Sequence, residues 1–193
     1  MLSQKNLPAE RAMSAMPKPM TLDDFVAWEE RQELRWEFDG VDARAMTGGT
    51  LAHSTIQTNL VAALRNALRG KPCRAHGSEL KVRTASSIRY PDALVTCLPG
   101  DPKSTFAPDP TIVFEILSPR SADLDLGAKK GEYQSIAQLH RYVVLHQAQA
   151  AAQVFHRGED GEWSYDFIGE AGVLEMPEAE IAISLAEIYE GVF

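Results

Sequence analysis

Apolar residues recur along this chain with two different periods, and the switches between them mark out helices and strands. Leu22, Phe25, Val26 and Trp28 share a helical face after Thr21. The Thr21 hydroxyl suits an N-cap, and Asp23 and Asp24 complement the first turn, so a short amphipathic helix is predicted there. The runs 34–38 and 43–46 flank Asp39-Gly40, a pair that marks a hairpin turn. After Gly48-Gly49, Ile56, Leu60, Ala63, Leu64 and Leu68 return at helical spacing, which predicts a helix over about 52–69 closed by Gly70.

Strand periods come next. Candidate strands cover 79–84, 90–97 and 111–117, and the last two are near-continuous apolar runs of the kind buried on both faces of a sheet. The Pro- and Asp-rich stretch 99–110 between them reads as a loop. A helix is expected over about 124–137, then strands at 141–146, 153–156 and 163–168, with a hairpin turn at 158–161. The closing segment 181–193 ends in a helix begun near Ser184. These elements predict an α/β (α+β) fold in which helices flank a central mixed β-sheet. Residues 1–20 carry no such pattern and read as a flexible N-terminal arm, leaving 21–193 as a single domain.

Composition changes this picture in three places. With 193 residues, 45% of them hydrophobic, the chain can bury a core without a disulfide or a structural metal. Cys73 and Cys97 have no metal-ligand spacing, so two reduced thiols in a cytoplasmic protein are expected. No apolar run reaches the roughly 18 residues of a membrane span. The formal charge of −8 is unhelpful for holding phosphates, but it is unevenly spread. Arg65, Arg69, Lys71, Arg74, Lys81, Arg83 and Arg89 face Glu79 alone within 61–90, whereas 158–190 contains no lysine or arginine. That basic run is either a phosphate-facing surface or ordinary solvated charge.

Candidate chemistry concentrates between Arg89 and Tyr133. Glu115 interrupts a buried apolar strand, where an ionised carboxylate needs a metal or a cationic partner. Asp92 follows Pro91 at the entry of the preceding strand, as a metal ligand or a turn residue. If the two strands pair, the carboxylates converge, and a hard cation such as Mg²⁺ takes oxygen ligands of this kind. Asp125, Lys129 and Tyr133 fall on one face of the predicted helix, either aimed at that acid pair or, for Asp125 and Lys129, forming a surface ion pair.

The ordered set Pro91-Asp92, Phe114-Glu115-Ile116-Leu117-Ser118-Pro119 and Asp125 through Lys129 to Tyr133 resembles the Uma-type restriction endonuclease family, within the PD-(D/E)XK nuclease superfamily. Upstream, Glu37 before Asp39-Gly40 and His53 at a helix start extend the resemblance over about 20–193. It implies a restriction-endonuclease-like core, with Asp92 and Glu115 as metal-binding acids for Mg²⁺, or Mn²⁺ in its place. The superfamily's usual lysine position, two residues after the second acid, is Leu117 here, and the resemblance implies that Lys129 on the following helix takes over its role. Glu37 would complete the site, or else pair with Arg35 or Arg44. His53, Asp125, Tyr133 and Ser118 would support the site or touch a phosphate, although capping and packing explain His53 and Ser118 as well.

Together these features read as a Mg²⁺-dependent endonuclease hydrolysing phosphodiester bonds in DNA, with no membrane association. A homodimer is expected, because cutting both strands needs two sites. The alternatives are a nuclease fold of little or no turnover that binds DNA or protein, and an unrelated metal hydrolase.

Overall fold

The protein is described by a computed structural model over residues 20–46, 48–117 and 125–193. In chain order, helix α1 (Leu22–Glu29) precedes strands β1 (Trp36–Phe38) and β2 (Ala43–Ala45), and the long helix α2 (Leu51–Ala67) follows. Next come β3 (Arg74–Gly77), β4 (Val82–Arg83), β5 (Ile88–Arg89), β6 (Ala93–Thr96) and β7 (Pro110–Leu117). A π-helical turn (Asp125–Lys129) runs into the short helix α3 (Lys130–Gln134). Strands β8 (Arg141–His146), β9 (Ala152–Arg157), β10 (Trp163–Ile168), β11 (Val173–Met176) and β12 (Ile181–Ser184) lead to helix α4 (Leu185–Ile188).

The two apolar runs seen in the sequence become neighbours, β6 and β7, inside a six-stranded sheet of order β10-β9-β8-β7-β6-β3. Only β7 and β8 pair in parallel, so the sheet is mixed. A parallel pair needs a crossover, and the described part of the connection, residues 125–140, carries α3 onto one face. Ile112, Phe114 and Ile116 of β7 point to the opposite face, where Ile56, Leu60 and Leu64 of α2 pack beside β12 and α4. Val113 points to the α3 side with Tyr133, Tyr142 and Val144. Each such side chain, fully buried, contributes roughly 1.5–3 kcal/mol.

A second sheet, of order β2-β1-β5-β4, holds α1 through Phe25, Phe38 and Ile88. Thr21 caps α1 as the sequence predicts, in a capping box with Asp24. The pair Lys81 and Glu29, 2.8 Å apart and both buried, ties α1 to the segment before β4.

Three expectations need correction, and some strands were not anticipated. The strand over 79–84 shrinks to Val82–Arg83, because Lys81 instead bridges Phe106 in the long loop. Strands β3 and β11 were not evident from pattern, since Arg-Ala-His-Gly has no apolar alternation and Val-Leu-Glu-Met is too short to declare a period. The helix over 124–137 is instead a π-turn and one short α segment, consistent with the poor helix propensity of Gly127 and Gly131. Finally, Cys73 and Cys97 are not reduced thiols but a disulfide. The register Arg74 opposite Thr96, carried one residue outward, sets them face to face across β3 and β6. The cytoplasmic expectation loses the support it drew from free thiols. Among the described residues, no helix is long and apolar enough to cross a membrane.

Candidate active site

Asp92 and Glu115 meet because of strand register. Ala93 of β6 lies opposite Phe114 of β7, so one residue further on Asp92 lies across from Glu115. The Ile116 amide donates to Asp92 Oδ2 at 2.7 Å, which anchors the carboxylate to the neighbouring strand. Its other oxygen, Oδ1, is 3.2 Å from His53 Nε2. Thr50, the N-cap of α2, accepts from the His53 amide, so helix capping fixes where that ring starts. Gly49 leaves room for the ring: a Cβ there would lie 3.1 Å from it. Gln57, one turn along α2, donates to the Asp92 carbonyl at 2.8 Å.

Glu115 is buried and receives two donors on Oε1, the Lys129 ammonium and the Tyr133 hydroxyl, each at 2.9 Å. Lys129 ends the π-turn and Tyr133 lies in α3, so the crossover between the parallel strands returns both to the acid. Burial, together with the charges of Glu115 and Glu37, pushes the Tyr133 hydroxyl well above its ordinary range. It therefore acts as a fixed donor.

Glu37 of β1 joins the same group. Its Oε1 lies 3.5 Å from Lys129 Nζ and accepts from the Tyr90 amide at 3.0 Å, while Oε2 is 3.4 Å from Arg89 Nη1. The alternative partners of Glu37 are engaged elsewhere, Arg35 with Glu79 and Arg44 with Asp39. Pattern reading missed two members, Arg89 and Glu132. They form a bidentate pair, Nε to Oε2 at 2.7 Å and Nη2 to Oε1 at 2.8 Å, and Ser87 also donates to Glu132. Burial alone would lower the Arg89 pKa, but Glu132 and Glu37 together raise it. The usable signal was the position of Glu132, one helical turn after Lys129.

The sequence-predicted residues thus divide cleanly. Asp92, Glu115, Lys129, Tyr133, Glu37 and His53 come together in one place. The Asp125 backbone lies in the π-turn, and its side chain, like all of Ser118, falls outside the described residues.

The site is rich in carboxylates. Glu37, Asp92, Glu115 and Glu132 bring four carboxylates against the two permanent charges of Lys129 and Arg89, an excess of two negative charges among the described residues. No group of three or more metal-type side chains is gathered there among the described residues. Two carboxylates with the remaining positions left to water is nonetheless the usual way a protein holds Mg²⁺. Asp92 and Glu115 are the residues that could do so.

Comparison with known proteins now decides the family. The profile of the Uma2 family, described as "Putative restriction endonuclease", matches residues 22–186. The chain belongs to the Uma2 family. An uncharacterized protein of Synechocystis sp. is 30% identical over 187 residues, covering 95% of this chain and 98% of its own. A second uncharacterized Synechocystis protein is 23% identical over 169 residues, with 83% and 94% covered. Among solved structures, a "putative nuclease belonging to DUF820" from Anabaena variabilis superposes with a TM-score of 0.75 at 16% identity, covering 91% of this chain and all of that one. At that identity the likeness concerns the fold. The mixed-sheet architecture of this Uma2 chain is therefore that of a nuclease-like fold.

Proposed function

We propose that this Uma2 protein is a Mg²⁺-dependent endonuclease that hydrolyses phosphodiester bonds in DNA. The observation that carries the reading is the opposition of Asp92 and Glu115 across β6 and β7, with the Lys129 ammonium 2.9 Å from Glu115. Asp92 and Glu115 would hold the metal, with Mn²⁺ able to replace Mg²⁺. Such an ion polarises a phosphoryl oxygen and lowers the pKa of a bound water.

The chain's own residues do the positioning. The Ile116 amide and His53 fix both oxygens of Asp92, and Tyr133 holds Glu115 by a donor that stays protonated. Lys129 would offer ammonium protons to the attacking water's oxygen and to the phosphoryl oxygens, where negative charge gathers as the bond from phosphorus to the leaving oxygen breaks. Glu37, 3.5 Å from that ammonium, helps hold it in place. Cutting both strands of a duplex would take two such sites, hence a homodimer.

One observation favours a second reading. Glu115 already has a buried cationic partner in Lys129, so the pair could be a structural device in a nuclease fold that only binds DNA or protein. Calorimetric titration of Mg²⁺ and Mn²⁺ into wild type and Glu115→Gln, beside plasmid nicking by wild type and Lys129→Met, separates the two. Metal binding that is lost with Glu115 and nicking that is lost with Lys129 support the enzyme. A folded wild type that binds neither ion and leaves the plasmid intact leaves the binding module.

A further inference from the structure

The seven bases of the 61–90 run have different fates. Lys81 is buried on Glu29, Arg89 on Glu132, Arg83 meets Asp23 at 2.8 Å and Lys71 meets Glu180 at 3.2 Å. Arg65, Arg69 and Arg74 remain. All three are exposed, and among the described residues none has a carboxylate partner. These three line one concavity of about 390 Å³ at the C-terminal end of α2, beside the Cys73–Cys97 bridge. In a chain of net charge −8, three unneutralised arginines on one wall are a departure from the average surface.

The concavity also leads somewhere. A second, shallow hollow of about 360 Å³ runs along α2 between Gln57 and Arg65, lined opposite by Gly77, Ser78 and Glu79. Arg65 belongs to both hollows. Gln57, at the near end, is the residue that donates to the Asp92 carbonyl. His53, Gln57, Val61 and Arg65 recur every fourth residue, so one face of α2 runs from beside Asp92 toward the arginines. From His53 to Arg65 the helix rises about 18 Å, which is roughly five base-pair steps of duplex DNA. Glu79, the one acid lining the second hollow, is drawn toward Arg35 at 3.8 Å.

We propose that Arg65, Arg69 and Arg74 form a phosphate-binding station for the DNA backbone, about half a helical turn of duplex away from the cleavage site. This rests on the nuclease reading for the identity of the polyanion. The station holds and orients the substrate and takes no part in bond breaking. Guanidinium groups suit it because their planar forks match phosphate oxygens, and contacts of this type carry affinity without sequence preference.

The test is fluorescence anisotropy of a labelled short DNA duplex with metal removed by EDTA, across a salt series, for wild type and the triple variant Arg65→Gln/Arg69→Gln/Arg74→Gln. Arg83→Gln, which removes an exposed but paired base, is the control. The triple variant should bind at least about tenfold more weakly at low salt, and its plot of log affinity against log salt should be shallower by about two to three. The control should match wild type. If the triple variant is folded by circular dichroism and keeps the wild-type affinity and slope, the station is overturned. The same holds if wild type shows no DNA binding at all. Plasmid nicking with Mg²⁺ on the same samples reports on the nuclease reading separately. Loss of binding in the variant, with no nicking by any protein, would keep the station and sink the enzyme.

Discussion

Lys129 donates to Glu115 at 2.9 Å, with both side chains buried and fourteen positions apart in the chain. Removing one partner of such a pair strands the other charge in a poorly solvated place. Lys129→Met should therefore cost roughly 3–5 kcal/mol of stability in EDTA. Under the proposed function, divalent ions should return part of that loss by binding the folded state at Glu115. Plasmid nicking should fall by about 10²–10³ while metal binding persists. Urea unfolding with and without Mg²⁺, together with single-turnover nicking, checks all three.

Arg89 and Glu132 make the best-formed ion pair among the described residues, two parallel hydrogen bonds of 2.7 and 2.8 Å. Glu132→Ala should destabilise by roughly 3 kcal/mol or more, since Arg89 is almost wholly buried. Arg89→Lys should not be a mild change, because an ammonium cannot reproduce the planar fork. Denaturant midpoints of the two variants, expected to drop together, measure this.

The Cys73–Cys97 bridge closes a separation of 24 residues. Chain-entropy arguments give such a crosslink roughly 3 kcal/mol of stabilisation through the unfolded state. Native protein should show no thiol titratable by Ellman's reagent among these two cysteines. Cys73→Ser/Cys97→Ser, or reduction, should lower the urea midpoint by the corresponding amount.

Tyr90 and Tyr189, like the buried Tyr133, make stability depend on alkaline pH. Burial pushes the Tyr90 hydroxyl up, with its bond to Glu29 adding to the rise, and burial likewise raises Tyr189, whose hydroxyl donates to the His146 and Ala151 carbonyls. Both start from an ordinary value of 10.0. Because the folded values are raised, their contribution is fully present below about pH 10, where the unfolded chain also keeps its protons. Above that pH the unfolded state releases protons first, and stability falls as pH rises. Melting temperatures should be level through neutral pH and decline beyond about pH 10, less steeply in Tyr90→Phe.

Much of the candidate site is legible in the sequence, and the reasons are local. Glu115 stands out because a charge inside an apolar strand is costly, and Asp39-Gly40 because a turn needs it. Gly40 has φ of +91°, and a Cβ there would meet the Ser86 carbonyl at 2.7 Å. Distant pairing sets the parts that cannot be read this way. Nothing in the run 61–90 distinguishes Arg89, sealed against Glu132, from Arg74, open to solvent. The burial of Glu29 and Lys81 depends on α1 docking against the small sheet, and the disulfide on which residues of β3 and β6 come opposite. Such outcomes depend on which strands become neighbours, and alternation within one strand carries no record of that.

The π-turn over Asp125–Lys129 has a consequence for length. It winds five residues where an ordinary helix would use about four, so it behaves like a helix with a single insertion. Winding the same five residues as regular helix, with none removed, would instead turn helix α3 by about 100° about its axis. Lys129 and Tyr133 could then no longer both reach Glu115. A variant that tightened this turn would still display its acid, its lysine and its tyrosine in the proper order, with the working arrangement gone.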